Sequence, residues 1–387
     1  MRLAALLALT LVGCRDWDDA YARRVDAGFG SSGGGSATGG GSATGGGGAS
    51  GGGSATGGGG SATGGGGSAT GGGSATGGGA TSYLTDAGTL TERSRLDDGQ
   101  YCVRLVGFSD GGVVGVCENF NSNSNTDLVR GGSTLAAAQI PSVCCALEIN
   151  GVTASSLSDV FIAARQELVH VVGNTATESS CGQTLEDWRG QSTASADESW
   201  FVGLNGAVCQ WADGGFNPIS LGVDPQTLYT VKAFANGDRF FGGANSELVW
   251  WPAGGNPMQQ ADPNFGSLVD AFLQGTAFDD LWAGASGGNT AHWDGQQWTA
   301  MSPLGGGSTV HEIATPARDD IWAVNDNTLF HFNGTDWDVV PVPNHRADDV
   351  FHTLVSAGPK RLVIGGYTDG GTGGQDTAGF IQVLDRH

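Results

Sequence analysis

One short pattern returns along the chain about every 40 residues, and a period of that length restricts the fold more than any other feature. Asp319-Asp320-Ile321-Trp322-Ala323-Val324 has a close copy in Asp279-Asp280-Leu281-Trp282-Ala283-Gly284, and weaker copies begin at Asp238, Glu198, Asp159 and Lys360. The aromatic residue, or its equivalent, falls at Phe161, Trp200, Phe240, Trp282, Trp322 and Leu362, with spacings of 39, 40, 42, 40 and 40 residues. A second register follows about ten residues later: His170-Val171, Gln210-Trp211, Trp250-Trp251, His292-Trp293 and His331-Phe332. Two registers sharing one period indicate a structural repeat.

Each repeat reads as four short strands. In 308–343 these are Val310 to Thr315, Ile321 to Asn325, Thr328 to Phe332 and Trp337 to Val342. Asn333-Gly334, and Asp294-Gly295 in the neighbouring copy, favour the positive φ angles of a tight hairpin turn between the last two. The second strand is apolar on consecutive residues, so both of its faces are expected to be buried. Four-stranded sheets that bury one another at a 40-residue period are the blades of a β-propeller. The expectation is all-β with almost no helix.

Six repeats fill 151–387, and 83–150 holds strand-like runs at Tyr101 to Phe108, Val113 to Cys117, Asp127 to Arg130 and Ser142 to Ile149. These predict a further, degenerate blade and a total of seven, with six as the alternative. The last repeat offers only Phe351 to Ser356, Leu362 to Tyr367 and Phe380 to Leu384. An N-terminal strand near Tyr83 to Leu90 is therefore expected to complete that blade and close the ring.

The region after 150 resembles secreted bacterial WD40/BNR-like propellers whose blades carry Asp-Asp-x-Trp-Ala-Val followed by His-Trp-Asp-Gly-x-x-Trp. The resemblance is clearest over 269–343. The chain lacks the Ser-x-Asp-x-Gly-x-Thr-Trp box of sialidase-like blades and the regular Gly-His to Trp-Asp spacing of WD40 blades.

The N-terminus carries an address. Met1-Arg2 is followed by an apolar stretch from Leu3 to Val12 and then by Leu11-Val12-Gly13-Cys14, without an Ala-x-Ala cleavage site. This resembles a bacterial lipoprotein signal peptide with its lipobox. The resemblance implies removal of 1–13, diacylation of the Cys14 thiol, acylation of the new amine and anchoring in a lipid bilayer. Arg15 stands where an inner-membrane retention Asp would, which points to the outer membrane, facing the cell surface or the periplasm. Residues 14–27 form the lipidated N-terminus. Residues 28–82 have no charge and 29 glycines, too little apolar surface to offset ordering entropy, so they read as a disordered linker. Its r.m.s. span is roughly 40 Å. The propeller occupies 83–387.

Charge excludes one class of partner. Lys and Arg number 17 against 39 Asp and Glu, a net of −22, whereas nucleic-acid backbones are held by clustered cations. No nucleic acid is expected, and anionic lipid headgroups are disfavoured. No apolar run reaches the roughly 18 residues of a membrane-spanning helix. Six cysteines remain beyond Cys14, namely Cys102, Cys117, Cys144, Cys145, Cys181 and Cys209. An even set behind an export signal predicts disulfides, with about 15 possible pairings for six thiols. Cys144 and Cys145 are adjacent, so on a strand they would serve different bridges. The Cys-x-x-Cys spacing of metal sites is absent, and neither a metal nor a cofactor is expected.

Catalytic patterns dissolve into the repeat. His170, His292 and His331 occupy one equivalent blade position, and the paired Asp at 279/280 and 319/320 recur at strand starts, which marks both as structural. Gly284-Ala285-Ser286-Gly287-Gly288 spells a nucleophile elbow, but it joins two strands instead of a strand and a helix. No catalytic residue is therefore assigned. Function in repeat folds gathers where a copy departs from its template. The departures are Asn119 to Thr126 and Asp369 to Asp376, loops expected on one face of neighbouring blades, with Asn121, Asn123, Asn125, Asp127, Asp369 and Asp376 as candidate ligand-binding residues. The alternating oxygens of Asn121 to Asp127 also resemble calcium ligands, a weaker reading because only one is charged. The expected function is a monomeric, membrane-anchored, non-catalytic module that binds a protein or glycan. The alternatives are a periplasmic outer-membrane assembly scaffold, whose family a tethered propeller lipoprotein resembles, and an extracellular propeller enzyme of glycosidase or lyase type. The latter requires unrepeated carboxylates or histidines on the central channel, for which His311, His345 and His352 are available.

Overall fold

The structure, a computed structural model, describes residues 100–119, 126–131, 135–139, 149–164, 167–182, 187–222, 227–244, 247–261, 272–368 and 378–386, with the short segments 84–85 and 94–95. Cys14 and the 28–82 segment lie outside the described residues.

Every long strand belongs to one of seven antiparallel sheets. After β1 (Leu84–Thr85) and β2 (Ser94–Arg95), blade one comprises β3 (Gln100–Gly107), β4 (Val113–Asn119), β5 (Thr126–Gly131) and β6 (Leu135–Gln139). Blade two is β7 (Ile149–Ser156), β8 (Asp159–Ala164), β9 (Leu168–Val172) and β10 (Thr175–Ser179). Blade three is β11 (Trp188–Ser195), β12 (Glu198–Gly203), β13 (Val208–Ala212) and β14 (Gly215–Pro218). Blade four is β15 (Leu228–Ala233), β16 (Arg239–Gly243), β17 (Leu248–Trp251) and β18 (Met258–Gln259). Blade five is β19 (Phe272–Ala277), β20 (Asp280–Gly284), β21 (Thr290–Trp293) and β22 (Trp298–Ala300). Blade six is β23 (Glu312–Ala317), β24 (Asp320–Val324), β25 (Leu329–Phe332) and β26 (Trp337–Val340). Blade seven is β27 (Asp349–Ser356), β28 (Arg361–Thr368) and β29 (Ala378–Arg386). Among the described residues, helix is confined to short 3₁₀ turns such as Leu204–Gly206 and Ser286–Gly288.

The chain closes the ring in two ways. Both β1 and β2 pair antiparallel with β29, so N-terminal backbone supplies the outer edge of blade seven. The first strands of the blades form the inner wall, where each touches the next and β27 returns to β3. Across that seam the Leu105 amide donates to the Thr353 hydroxyl at 3.3 Å, and a Cβ on Gly107 would lie 2.1 Å from the Ser356 carbonyl oxygen. Only glycine permits that approach. The same inter-blade bond recurs from the Ala233 amide to Ser192 and from the Leu273 amide to Thr230.

The two sequence registers are the two halves of one cross-strand pair. Phe161 faces His170, Trp200 faces Gln210, Phe240 faces Trp250, Trp282 faces His292 and Trp322 faces His331 in directly opposed positions on second and third strands. Ring centroids are 4.3 Å apart for Phe161 and His170 and for Trp322 and His331. Opposed aromatic pairs of this kind stabilise a sheet locally. The second strands are buried along their length, as in Asp280–Gly284, because both faces meet neighbouring blades.

Two local expectations are corrected. The fourth strand of blade one is Leu135–Gln139, not Ser142 to Ile149; Ile149 opens β7. Leu-Ala-Ala-Ala-Gln has little strand propensity, yet it pairs along its length with β5 through backbone hydrogen bonds. The loops at Asn333-Gly334 and Asp294-Gly295 span four residues instead of a two-residue turn. Gly334 and Gly295 have φ of 97° and 93°, but the preceding side chain caps the loop. Asn333 Oδ1 accepts from the amides of Thr335 and Asp336, and Asp294 Oδ1 from those of Gln296 and Gln297.

Candidate functional site

The repeated polar residues form a structural ring. At the start of each second strand in blades two to six a carboxylate lies two residues before the aromatic anchor and receives hydrogen bonds from its own blade. His170 Nε2 lies 2.6 Å from Asp159, His292 Nε2 2.9 Å from Asp280 and His331 Nε2 3.2 Å from Asp320. Where histidine is replaced, Gln210 and Trp200 donate to Glu198 and Trp250 to Asp238. Burial alone would raise the Asp280 carboxyl, but the His292 and Thr276 hydrogen bonds outweigh it and hold the group below its ordinary range. Glu198 is likewise held low, its burial overcome mainly by Arg239 at 2.5 Å. These carboxylates are saturated, so they brace the blades. Ser286 lies in a turn between two strands, with no helix behind it.

A different set of residues meets on the propeller axis, where contacts between non-adjacent blades become possible. The Arg104 guanidinium of blade one lies 4.8 Å from the Phe272 ring centroid of blade five. Glu312 of blade six interacts electrostatically with both Arg104 and Lys232 of blade four. Register sorts them into tiers. Arg104, Phe272 and Glu312 pair with Val116, Gly284 and Val324, which are equivalent second-strand positions. Lys232 and Gln274 pair with the anchors Phe240 and Trp282, one tier deeper. His311 and His352 lie at the mouth, with ring centroids 5.8 Å apart.

Hydrogen bonds run down the tiers. Arg104 Nη1 lies 3.3 Å from His352 Nδ1, His311 Nε2 lies 2.8 Å from Asp326, and Lys232 Nζ donates to Gln274 at 3.0 Å. Lys232 is deep in the molecule while part of its surface stays open to the channel, and burial pulls its ammonium down to about 8, partly offset by Glu312. Burial pushes the Glu312 carboxyl up to about 7 against the attraction of Arg104 and Lys232. Glu312 is 7% exposed, and no hydrogen bond to its carboxyl is found among the described residues. At other blades the Glu312 tier holds Gly151, Gly190 and Thr230. A carboxyl at a position that blades two, three and four leave small was the signal available for Glu312, and the same comparison singles out Lys232 where blades two and three hold Thr153 and Ser192.

The earlier candidates divide. His311 and His352 are brought together, whereas His345 is exposed and rests against Phe351. Asn121, Asn123, Asn125, Asp369 and Asp376 lie outside the described residues. Asp127 pairs through its backbone with Cys117 and Gln139, its side chain being outside the description. Cys144 and Cys145 lie outside it as well. Cys181 and Cys209 form a disulfide with a Cα separation of 6.1 Å, tying the loop after β10 to β13. Cys117 is also disulfide-bonded, and Cys102 occupies the opposed backbone position. Among the described residues no cluster of His, Cys, Asp and Glu could hold a metal ion, and no helix is long and apolar enough to cross a membrane.

No protein-family profile and no curated protein sequence matches the chain. Solved structures match its fold. A catalytically inactive virginiamycin B lyase from Staphylococcus aureus, crystallised with quinupristin, superposes with a TM-score of 0.59 at 13% identity, covering 74% of this chain and 98% of its own. YCF48 from Cyanidioschyzon merolae gives 0.57 at 12% identity, covering 76% and 98%. The WD40 repeats of RRP9 give 0.56 at 10% identity, covering 73% and 94%. At such identities the likeness is one of architecture. The same architecture is thus shared with a lyase, a protein solved elsewhere with a D1 peptide and a WD40 domain.

Proposed function

We propose that this chain is an exported, lipid-anchored binding module that captures a protein or glycan over the mouth of its axial channel. The observation that carries the reading is the split just described: the repeated carboxylates are engaged by side chains of the ring, each by at least one from its own blade, while unrepeated charges gather on the axis. The Cys181–Cys209 disulfide is consistent with export, and the lipobox at Cys14 supplies the anchor. Connections between second and third strands lie at the end of the sheets that carries His311 and Asp326. Strands β4, β5, β28 and β29 of the neighbouring blades one and seven have ends there too. The bilayer is a partner through acylated Cys14, and no cofactor is invoked.

The test is capture by the full chain from glycan arrays and from envelope protein extracts, repeated with Arg104→Gln. Capture that falls at least tenfold in a folded variant supports the axial mouth. Undiminished capture contradicts it. Stable co-purification with one outer-membrane protein, protected from protease on intact cells, would favour a periplasmic assembly scaffold.

A second reading rests on Glu312 alone. A deeply buried carboxyl that titrates near neutrality beside two cations is suited to general-base work, so an extracellular enzyme of lyase or glycosidase type is the competing function. Turnover of any captured glycan, lost in Glu312→Gln, would establish it.

A further inference from the structure

We infer that a second ligand site, at the end of the propeller opposite the channel mouth, takes a small zwitterion of the amino-acid type, with its carboxylate on Lys360 and Arg361 and its ammonium on Asp110. The site is independent of the binding-module reading, because no residue of the mouth takes part in it.

A cavity of about 430 Å³ opens to solvent where the turn between β3 and β4 meets the turn between β27 and β28, a volume within the range of small-molecule sites. The two turns touch, since a Cβ on Gly358 would lie 3.2 Å from the Ser109 carbonyl oxygen. Both blades depart from the repeat at this place. In blades two to six the residue two before the anchor is a carboxylate engaged within its own blade. Blade seven puts Lys360 there, with the opposite charge and an exposed side chain. Blade one, in register, puts Gly112 there. Function in repeat folds gathers at such departures, and here two of them lie side by side.

The charges around the cavity are divided by blade. Asp385 of β29 accepts from Arg361 Nε at 2.9 Å. That pair fixes the guanidinium with Nη1 3.6 Å from where a Cβ of Gly111 would stand, so the arginine reaches across the seam over a glycine whose φ is 91°. Among the described residues, the terminal nitrogens of Arg361 and the Lys360 ammonium have no hydrogen-bond partner. On the blade-one side Asp110 Oδ1 accepts from the Gly112 amide at 2.9 Å, which leaves the other oxygen open. Arg361 and Asp385 offset each other. An unpaired cation then remains on blade seven and an unpaired anion on blade one, with no salt bridge joining them.

Opposite charges that face one cavity without neutralising each other match a ligand carrying both. A carboxylate accepts from Lys360 and from the planar edge of Arg361, and an ammonium donates to the open oxygen of Asp110. A ligand with a negative charge alone meets Asp110 unrelieved, in a chain of net charge −22, and one with a positive charge alone meets Lys360.

A ligand-observed NMR titration of the full chain at pH 7 with alanyl-alanine tests the site, against acetyl-alanyl-alanine and alanyl-alanine amide, each of which lacks one of the two charges. Saturable binding of the dipeptide is expected, with both blocked forms at least fivefold weaker. Lys360→Met should weaken the dipeptide at least threefold and leave the amide form unchanged. Asp110→Asn keeps an acceptor for the Gly112 amide, and should weaken the dipeptide at least threefold while leaving the acetylated form unchanged. An unchanged thermal midpoint reports that each variant is folded. No saturable binding of the dipeptide, equal binding of either blocked form, or full affinity in either folded variant overturns the inference.

Discussion

The ring of second and third strands and the axis inside it obey opposite rules. In the ring, Asp159, Glu198, Asp238, Asp280 and Asp320 occupy one repeated position, and each is engaged by a His, Gln or Trp from its own blade. On the axis Arg104, Lys232 and Glu312 each occur once and reach across blades. A repeat fold can only buttress itself with what every blade supplies. A residue that one blade supplies alone is free of that duty, and the axis is where such residues meet.

The comparison breaks first if the ring is not the source of stability. Trp322→Ala removes one of the largest fully buried side chains and should cost about 3 to 5 kcal/mol by denaturant unfolding. Removing the Cys181–Cys209 bridge, which closes a loop of sequence separation 28, should cost about 3.5 kcal/mol on the chain-entropy account. A Cys181→Ala/Cys209→Ala protein read by the same method checks it.

The axis should respond with the opposite sign. A lysine whose folded pKa lies below its unfolded value costs stability while charged, in full below pH 8 and fading as pH rises towards 10.5. Lys232→Met should therefore stabilise the protein at pH 6 by about 2 kcal/mol, with the gain shrinking by pH 10. Asp280 behaves as a ring residue. Its lowered folded pKa contributes stability present above the ordinary carboxylate range and lost as pH falls through the folded value. Asp280→Asn should cost about 1 kcal/mol at pH 7 and less in acid. The surface pair of Arg318 and Asp279 joins side chains 56% and 38% exposed, and Arg318→Ala should change stability by under about 0.5 kcal/mol.

What could be read from the residues follows the same division. Period, blade number and the structural role of His170, His292 and His331 were legible because each is stated several times over. The Ala-rich strand at Leu135–Gln139 was not, since backbone pairing at a sheet edge needs no side-chain pattern. Lys232 and Glu312 escaped because one charge in an apolar strand carries no periodicity. Their meaning appears only when seven inner strands are placed in register. His311 and His352 could be singled out as unrepeated, but their proximity depends on a closed ring that brings residues from blades six and seven beside Arg104 of blade one.

The protonation of Glu312 tests the axis most directly. Carboxyl-stretch infrared difference spectra of the full chain against Glu312→Gln, recorded from pH 4 to 9, isolate that one group. A carboxyl signal that persists through pH 6 and titrates near 7 is the predicted result. Titration between pH 4 and 5, with the ordinary glutamates, would mean that the axis is as well solvated as the surface, and the contrast between ring and axis would not hold.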